Sequence, residues 1–192
     1  MTTTTSKPGS NVVGSAWLKR YYFTRAGFSI VWVGAVCGLA DGPVAVLAAL
    51  LLVYPAWDAV ANIVDARRNG GIRSNPTQAF NAAVSVVTTI AVAIALSQSM
   101  NAVLAVFGVW AAMSGILQLA TGARRWKSYG AQWPMIVSGI QSAMAGIKFL
   151  VESNSPDVPT ITTIAPYAAF GAFYFLIAAV WLTVGDARRS RG

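Results

Sequence analysis

The chain of 192 residues contains no histidine and a single cysteine, Cys37. The absence of histidine excludes Ser-His-Asp and Cys-His catalysis and removes the commonest zinc ligand. A single cysteine cannot form an intrachain disulfide. These absences predict a protein that is not an enzyme and that holds no metal or cofactor.

Charged residues are also scarce, at 10% of the chain, where a soluble domain typically has about 25%. Hydrophobic residues make up 56% and are arranged in long runs. Six of these runs approach or exceed the ~20 residues that a transmembrane helix needs. They lie near 22–40, 43–64, 79–97, 102–122, 131–151 and 163–184. Because the runs do not alternate in polarity, as the strands of a membrane barrel do, we predict an all-α integral membrane protein with six transmembrane helices.

The basic residues predict the orientation of these helices. Every Lys and Arg except Lys148 lies before the first span, after the sixth, or in the loops that follow the second and fourth spans. Since basic loops stay in the cytoplasm, both termini are predicted to be cytoplasmic. The net charge of +8 is therefore interpreted as a topology signal, and nucleic acid is not expected as a partner.

A basic motif recurs at the end of each even-numbered span. It consists of DARR at 65–68, GARR at 122–125 and DARR at 186–189. The arginines of this motif are expected to fix the topology and to contact anionic lipid headgroups. They are Arg67, Arg68, Arg124, Arg125, Arg188 and Arg189.

This periodic similarity indicates a repeated supersecondary unit. The predicted unit is an outward helix, an outer loop and an inward helix. Three copies give helical hairpins at about 25–66, 79–123 and 131–187. Together the hairpins form a predicted membrane domain at 25–189, which follows a disordered or interfacial segment at 1–24 and precedes a short tail at 190–192.

Small residues occur at the spacing of helix contacts. Such residues let helices approach closely in lipid, where packing replaces the hydrophobic drive. They are Gly34 and Gly38 in the first span, Gly115 in the fourth, and Ser138, Ser142 and Gly146 in the fifth. We expect them to pack helices within the chain, with an oligomer interface as the alternative.

The most unusual polar residue is Asp58, within the second span in LVYPAWDAVANIV. Pro55 predicts a kink just outside it, and Asn62 shares its helix face. Gln118 and Gln141 are further polar groups in the predicted apolar layer. Because none of these is basic, we expect Asp58 to lack a counter-ion and to be often neutral at pH 7. The residue is then either a solute or proton site, or a packing device that hydrogen-bonds a neighbouring helix.

The pattern of spans resembles the HdeD family of bacterial short-repeat membrane proteins over roughly residues 25–189. The closest stretches are GVWAAMSGILQLATGARR at 108–125 and AQWPMIVSGIQSAMAGIKFLV at 131–151. The resemblance implies a multi-pass protein of the bacterial inner (plasma) membrane, with the acid-stress role attached to the namesake of the family. It implies no agreed biochemical activity and no catalytic residues.

Three interpretations of function remain open. The first is an HdeD-like protein linked to acid or envelope stress, which acts through lipid or protein contacts. The second is a small proton or solute transporter or channel that uses Asp58. The third is an accessory subunit of a larger membrane complex. Membrane lipids are expected partners, together with a second copy of the chain or another membrane protein.

Overall fold

The computed structural model describes residues 9–126 and 132–189, which form six long α-helices. They are α1 (Gly9–Gly38), α2 (Val44–Arg68), α3 (Pro76–Ala95), α4 (Met100–Arg125), α5 (Gln132–Glu152) and α6 (Ala165–Arg189). Short 3-10 turns at Ile72–Ser74 and Ile161–Thr163 precede α3 and α6. The described ranges contain no strand, so the predicted all-α class is confirmed.

Five of the helices, α2 to α6, are long and apolar enough to cross a membrane. The chain is therefore a multi-pass membrane protein. Helix α1 is not among the five, and it carries Lys19, Arg20 and Arg25 along its length. The sixth span and the cytoplasmic position of both termini stay predictions.

Helix α1 begins well before the predicted first span. The segment at 1–24 is predicted to be disordered or interfacial, and within it residues 9–24 are helical. The physical reason is an apolar face, since Leu18, Tyr22 and Ala26 are buried against α6. The rest of the predicted N-terminal segment, 1–8, and the predicted tail, 190–192, lie outside the described residues.

The six helices pack in chain order around a ring, which closes where α1 contacts α6. The most extensive contacts are those of α4 with α5, α1 with α6, and α2 with α3. The helices of the predicted first and third hairpins, α1 with α2 and α5 with α6, touch one another far less. The most closely packed pairs are therefore formed by helices of different predicted hairpins. The two helices of each such pair have their basic ends at the same side of the bundle.

Glycines bring the backbones of α4 and α5 into direct contact. A Cβ atom at Gly115 would lie 2.6 Å from the amide nitrogen of Ala143, and one at Gly146 would lie 2.5 Å from the amide nitrogen of Ala112. Real Cβ atoms do not approach a backbone so closely, so only glycine fits at both positions. Ser138 of α5 is also buried.

Gly34 and Gly38 have a different environment. Both are exposed on α1, and a Cβ atom at either position would meet no atom within 4 Å. The packing contact predicted for them within the chain is thus absent from the described part of the bundle. Helix α1 instead buries the opposite face, on which Trp32 and Val36 join the apolar core.

The recurring basic motifs coincide with helix ends, because α2, α4 and α6 end at Arg68, Arg125 and Arg189. Arg124 Nη1 donates a hydrogen bond of 2.8 Å to Thr77 Oγ1 at the start of α3. The Arg68 guanidinium lies 5.1 Å from the ring centroid of Trp17. These contacts tie the basic ends of neighbouring helices together.

A second set of contacts at this end involves Asp186. Its carboxylate pairs with Arg189 on the same helix and with Lys19 of α1, the latter at 2.6 Å. Asp186 and Arg189 are three residues apart, so they share one face of the helix. Arg67 and Arg188 are exposed.

Candidate functional site

A cavity of about 520 Å³ occupies the centre of the ring, and all six helices contribute to its wall. Its size lies within the range of about 300–1,000 Å³ that is usual for small-molecule sites. Thr77 and Thr121 line it near the basic ends of α3 and α4, and Lys148 and Thr163 line it near the opposite end. The cavity therefore extends over most of the depth of the bundle.

The cavity also reaches the surface of the bundle between α5 and α6. Met144 and Phe170 are lining residues on these two helices. They are nevertheless 65% and 51% exposed. The gap follows from the limited contact between α5 and α6, because no glycine brings these two backbones together as it does for α4 and α5.

Asp58 lies on the cavity wall and is 7% exposed. Its carboxylate forms an ion pair with the guanidinium of Arg25 on α1. It also accepts hydrogen bonds from Asn62 Nδ2 at 2.9 Å and from Ser85 Oγ at 2.8 Å. Asp58 precedes Arg68 by ten residues, which is about 15 Å along a helix. The ion pair is therefore near the middle of an apolar layer about 30 Å thick.

The predicted absence of a counter-ion for Asp58 is wrong. The sequence rule assigned Arg25 to the cytoplasmic segment before the first span, but α1 carries it into the bundle. The expectation that Asp58 is often neutral at pH 7 rested on that absence and has lost its basis. A signal was available, since Arg25 falls inside the apolar run predicted at 22–40.

The guanidinium of Arg25 is held by groups from two further positions. Arg25 Nη1 donates a hydrogen bond of 3.0 Å to the hydroxyl of Tyr21. The guanidinium carbon lies 4.4 Å from the ring centroid of Phe175 on α6, which is a cation–π distance. Arg25 therefore connects α1, α2 and α6 around a single charge.

A chain of hydrogen bonds extends from Asp58 to α4. Ser85 on α3 donates its hydroxyl proton to Asp58, and the same oxygen accepts a bond of 3.0 Å from Trp110 Nε1. Because each donor points toward the carboxylate, the chain stabilises negative charge on Asp58. Neither Ser85 nor Trp110 was selected from the sequence. The available signal was that Gln78, Asn81 and Ser85 recur at helical spacing and so share one face of α3.

Replacing Ser85 with alanine is expected to destabilise the bundle. The change removes one donor from Asp58 and leaves the buried indole N–H of Trp110 without its acceptor, a loss of about 1–3 kcal/mol. The measurement is the unfolding transition in detergent micelles. A double-mutant cycle with Trp110→Phe should show that the two changes are not additive. Additive effects would contradict the hydrogen-bonded chain.

The four polar residues predicted as a site all line this cavity: Asp58, Asn62, Gln118 and Gln141. Asn62 contacts Asp58 directly, as described above. Gln118 Nε2 donates a hydrogen bond of 3.1 Å to the carbonyl of Met135 and so also joins α4 to α5. Pro55 is buried, and α2 continues through it as one helix.

A second polar contact lies on the α5 side of the wall. Ser142 Oγ donates to the carbonyl of Ala111 at 2.8 Å. The hydroxyl of Tyr167 lies 3.0 Å from the same Ser142 oxygen. Because the serine proton is already engaged, Tyr167 is the donor of this bond. Within 9–126 and 132–189, no group of three or more metal-binding side chains occurs.

Residues 80–151 match the family model of a short repeat of unknown function, DUF308. HdeD-like proteins carry this repeat, and both stretches that resemble HdeD lie in or close to the matched segment. The repeat covers most of α3 together with α4 and α5, which supply Ser85 and Trp110 to the site. No curated protein and no solved structure matches the chain.

Proposed function

We propose that this DUF308 protein is an HdeD-like protein of the bacterial inner membrane. In this proposal, the central cavity binds a small polar solute and lets it cross the bilayer. The observation that carries the proposal is the Arg25–Asp58 ion pair on the wall of the central cavity, about halfway through the bundle.

Ionisable residues at this depth are rare because they are costly in hydrocarbon, and they commonly mark solute or ion pathways. Well-packed apolar side chains would hold three helices together at no greater cost. The cavity beside the pair offers hydroxyl, amide and aromatic groups to a molecule of small size. These properties favour a binding role over a purely structural one.

A second candidate function is a contact role without transport, either as a stress-related protein or as an accessory subunit of a membrane complex. The exposed Gly34 and Gly38 on α1 favour it, because small residues on an outer face admit a helix of a second copy or of another membrane protein. In both candidates lipids surround the bundle, no catalytic step takes place, and nucleic acid is not a partner.

The Gly171→Leu substitution tests the transport proposal. Gly171 lines the cavity, and the nearest atom to a Cβ atom there would be the Tyr54 hydroxyl oxygen at 3.8 Å. The leucine side chain therefore fills cavity space without a backbone clash. We expect the wild-type protein to raise the solute permeability of proteoliposomes, and Gly171→Leu to reduce the increase by at least about tenfold, as when a pore is narrowed below the size of its solute.

Gly185→Leu is the matched control, because Gly185 lies on the same helix and a Cβ atom there would meet nothing within 4 Å. Permeability is measured by stopped-flow light scattering for solutes and with an enclosed pH dye for protons. Equal permeability of wild-type and empty liposomes for every probe would contradict the transport proposal and favour the contact role.

A further inference from the structure

The charged side chains on the cavity wall already have partners. Arg25 and Asp58 pair with one another, and Lys148 Nζ lies 2.5 Å from Glu152 Oε1. Asp65 accepts a hydrogen bond of 2.6 Å from Asn69 Nδ2. An ion in the cavity would have to break one of these contacts or remain without a counter-charge in a medium of low dielectric constant. The wall is therefore poorly suited to a charged ligand.

Amide side chains on the same wall are available for binding. Gln78 is 7% exposed, and its side chain makes no hydrogen bond to another residue of the described ranges. Gln141 is only partly buried, and its side chain likewise makes no hydrogen bond to another residue of the described ranges. Each amide offers two donor hydrogens and an acceptor oxygen. Because both amides line the cavity, a hydrogen-bonding molecule in the cavity can bind them.

Two further amides are only partly occupied. Asn81 accepts a bond of 3.2 Å from Ser114 Oγ through its oxygen, which leaves its NH₂ group for a ligand. Gln118 uses its NH₂ group on the Met135 carbonyl, which leaves its oxygen. The wall thus presents donors and acceptors in similar numbers, and this suits a molecule that has both.

We infer that the cavity selects small uncharged solutes that carry both hydrogen-bond donors and acceptors, which is the chemistry of polyols and urea-like amides. The inference rests on the proposed function and adds the substrate class. The aromatic rings of Tyr54, Trp110 and Tyr167 complete the wall, and they offer apolar faces to the carbon atoms of such a solute. Selection by pore width and lining donors and acceptors is the established physical basis of solute channels.

The experiment measures the permeability of proteoliposomes to glycerol, urea, potassium ions and protons. We expect the wild-type protein to raise glycerol or urea permeability and to leave both ion permeabilities at the level of empty liposomes. Gln78→Leu and Gln141→Leu should each lower the solute permeability by about threefold to tenfold, as expected for the loss of one hydrogen bond. Gln98→Leu is the matched control, because Gln98 is exposed outside the cavity.

The outcomes separate this inference from the proposed function. Potassium or proton flux without glycerol or urea flux would overturn the substrate class and leave a transport role in place. Solute flux that both leucine variants retain in full would overturn the role of the amides. No flux of any probe would contradict the proposed function itself. Where a leucine variant does not assemble, the corresponding serine variant removes the amide with less disturbance and carries the same expectation.

Discussion

Asp58→Ala is expected to cause a large loss of stability, by about 3–5 kcal/mol in the free energy of unfolding. The reason is that the guanidinium of Arg25 would remain buried between Tyr21 and Phe175 without its counter-charge. Asn62 and Ser85 would lose their shared acceptor as well. The measurement is thermal or denaturant unfolding in detergent micelles, followed by helical circular dichroism.

The double variant Arg25→Met/Asp58→Leu shows whether the loss of stability in Asp58→Ala comes from the broken ion pair or from any change at this position. It removes both charges, so most of the stability lost in Asp58→Ala should return. Asp41→Ala serves as the control, because Asp41 is an exposed acid in the loop between α1 and α2. If Asp58→Ala were as stable as Asp41→Ala, this result would contradict the buried ion pair. If transport also needs the pair, the double variant will be stable and inactive.

Gly146→Ala is the second change with a large expected effect. A Cβ atom there would lie 2.5 Å from the Ala112 nitrogen and 2.6 Å from the Gly108 oxygen. Both of these atoms belong to the backbone of α4, so the two helices must move apart. Overpacking of this kind costs about 1–3 kcal/mol, and we expect a lower unfolding midpoint together with a weaker contact between α4 and α5.

Gly34→Ala provides the matched comparison, since the same methyl group on α1 would meet no atom within 4 Å. Alanine is the better helix former by up to about 1 kcal/mol, so this variant should be as stable as the wild-type protein or more so. If both substitutions lowered the stability equally, the loss in Gly146→Ala could not be attributed to the close contact of α4 with α5.

Gly34 and Gly146 show what the sequence alone does not predict. Gly34 and Gly38 have the spacing of a packing motif, as do the small residues that end at Gly146. Spacing determines which residues share a face of one helix. It does not determine whether another helix covers that face. The contact of α4 with α5 and the exposure of Gly34 depend on how the ring closes, which is a tertiary property.

Arg25 shows a second limit. The long apolar runs made it possible to predict most of the helices, because run length is a local property. The depth of α1 in the membrane is not a local property. Basic residues at the end of a span normally mark the cytoplasmic boundary. Arg25 departs from that rule because Asp58 and the ring of Phe175 compensate its charge inside the bundle. The sequence places both Asp58 and Arg25 inside predicted apolar runs, but their pairing depends on how the helices pack.

The DUF308 repeat covers only part of the site. The matched residues, 80–151, supply Ser85 and Trp110 of the hydrogen-bond chain and three of the amides on the wall, Asn81, Gln118 and Gln141. The ion pair itself lies outside the match, on α1 and α2. We therefore expect the matched segment to provide the closely packed half of the ring, and the N-terminal helices to complete the cavity.

The central claim, that a hydrated cavity lies inside the ring, is tested most directly by the reactivity of cysteines with iodoacetamide. In a Cys37→Ala background, Gln141→Cys places a thiol on the cavity wall, and Ile140→Cys places one on the exposed outer face of α5. Only a thiolate reacts, and it forms where water reaches the sulfur. We predict rapid alkylation of Gln141→Cys and little of Ile140→Cys in proteoliposomes. Two equally unreactive cysteines would contradict a hydrated cavity.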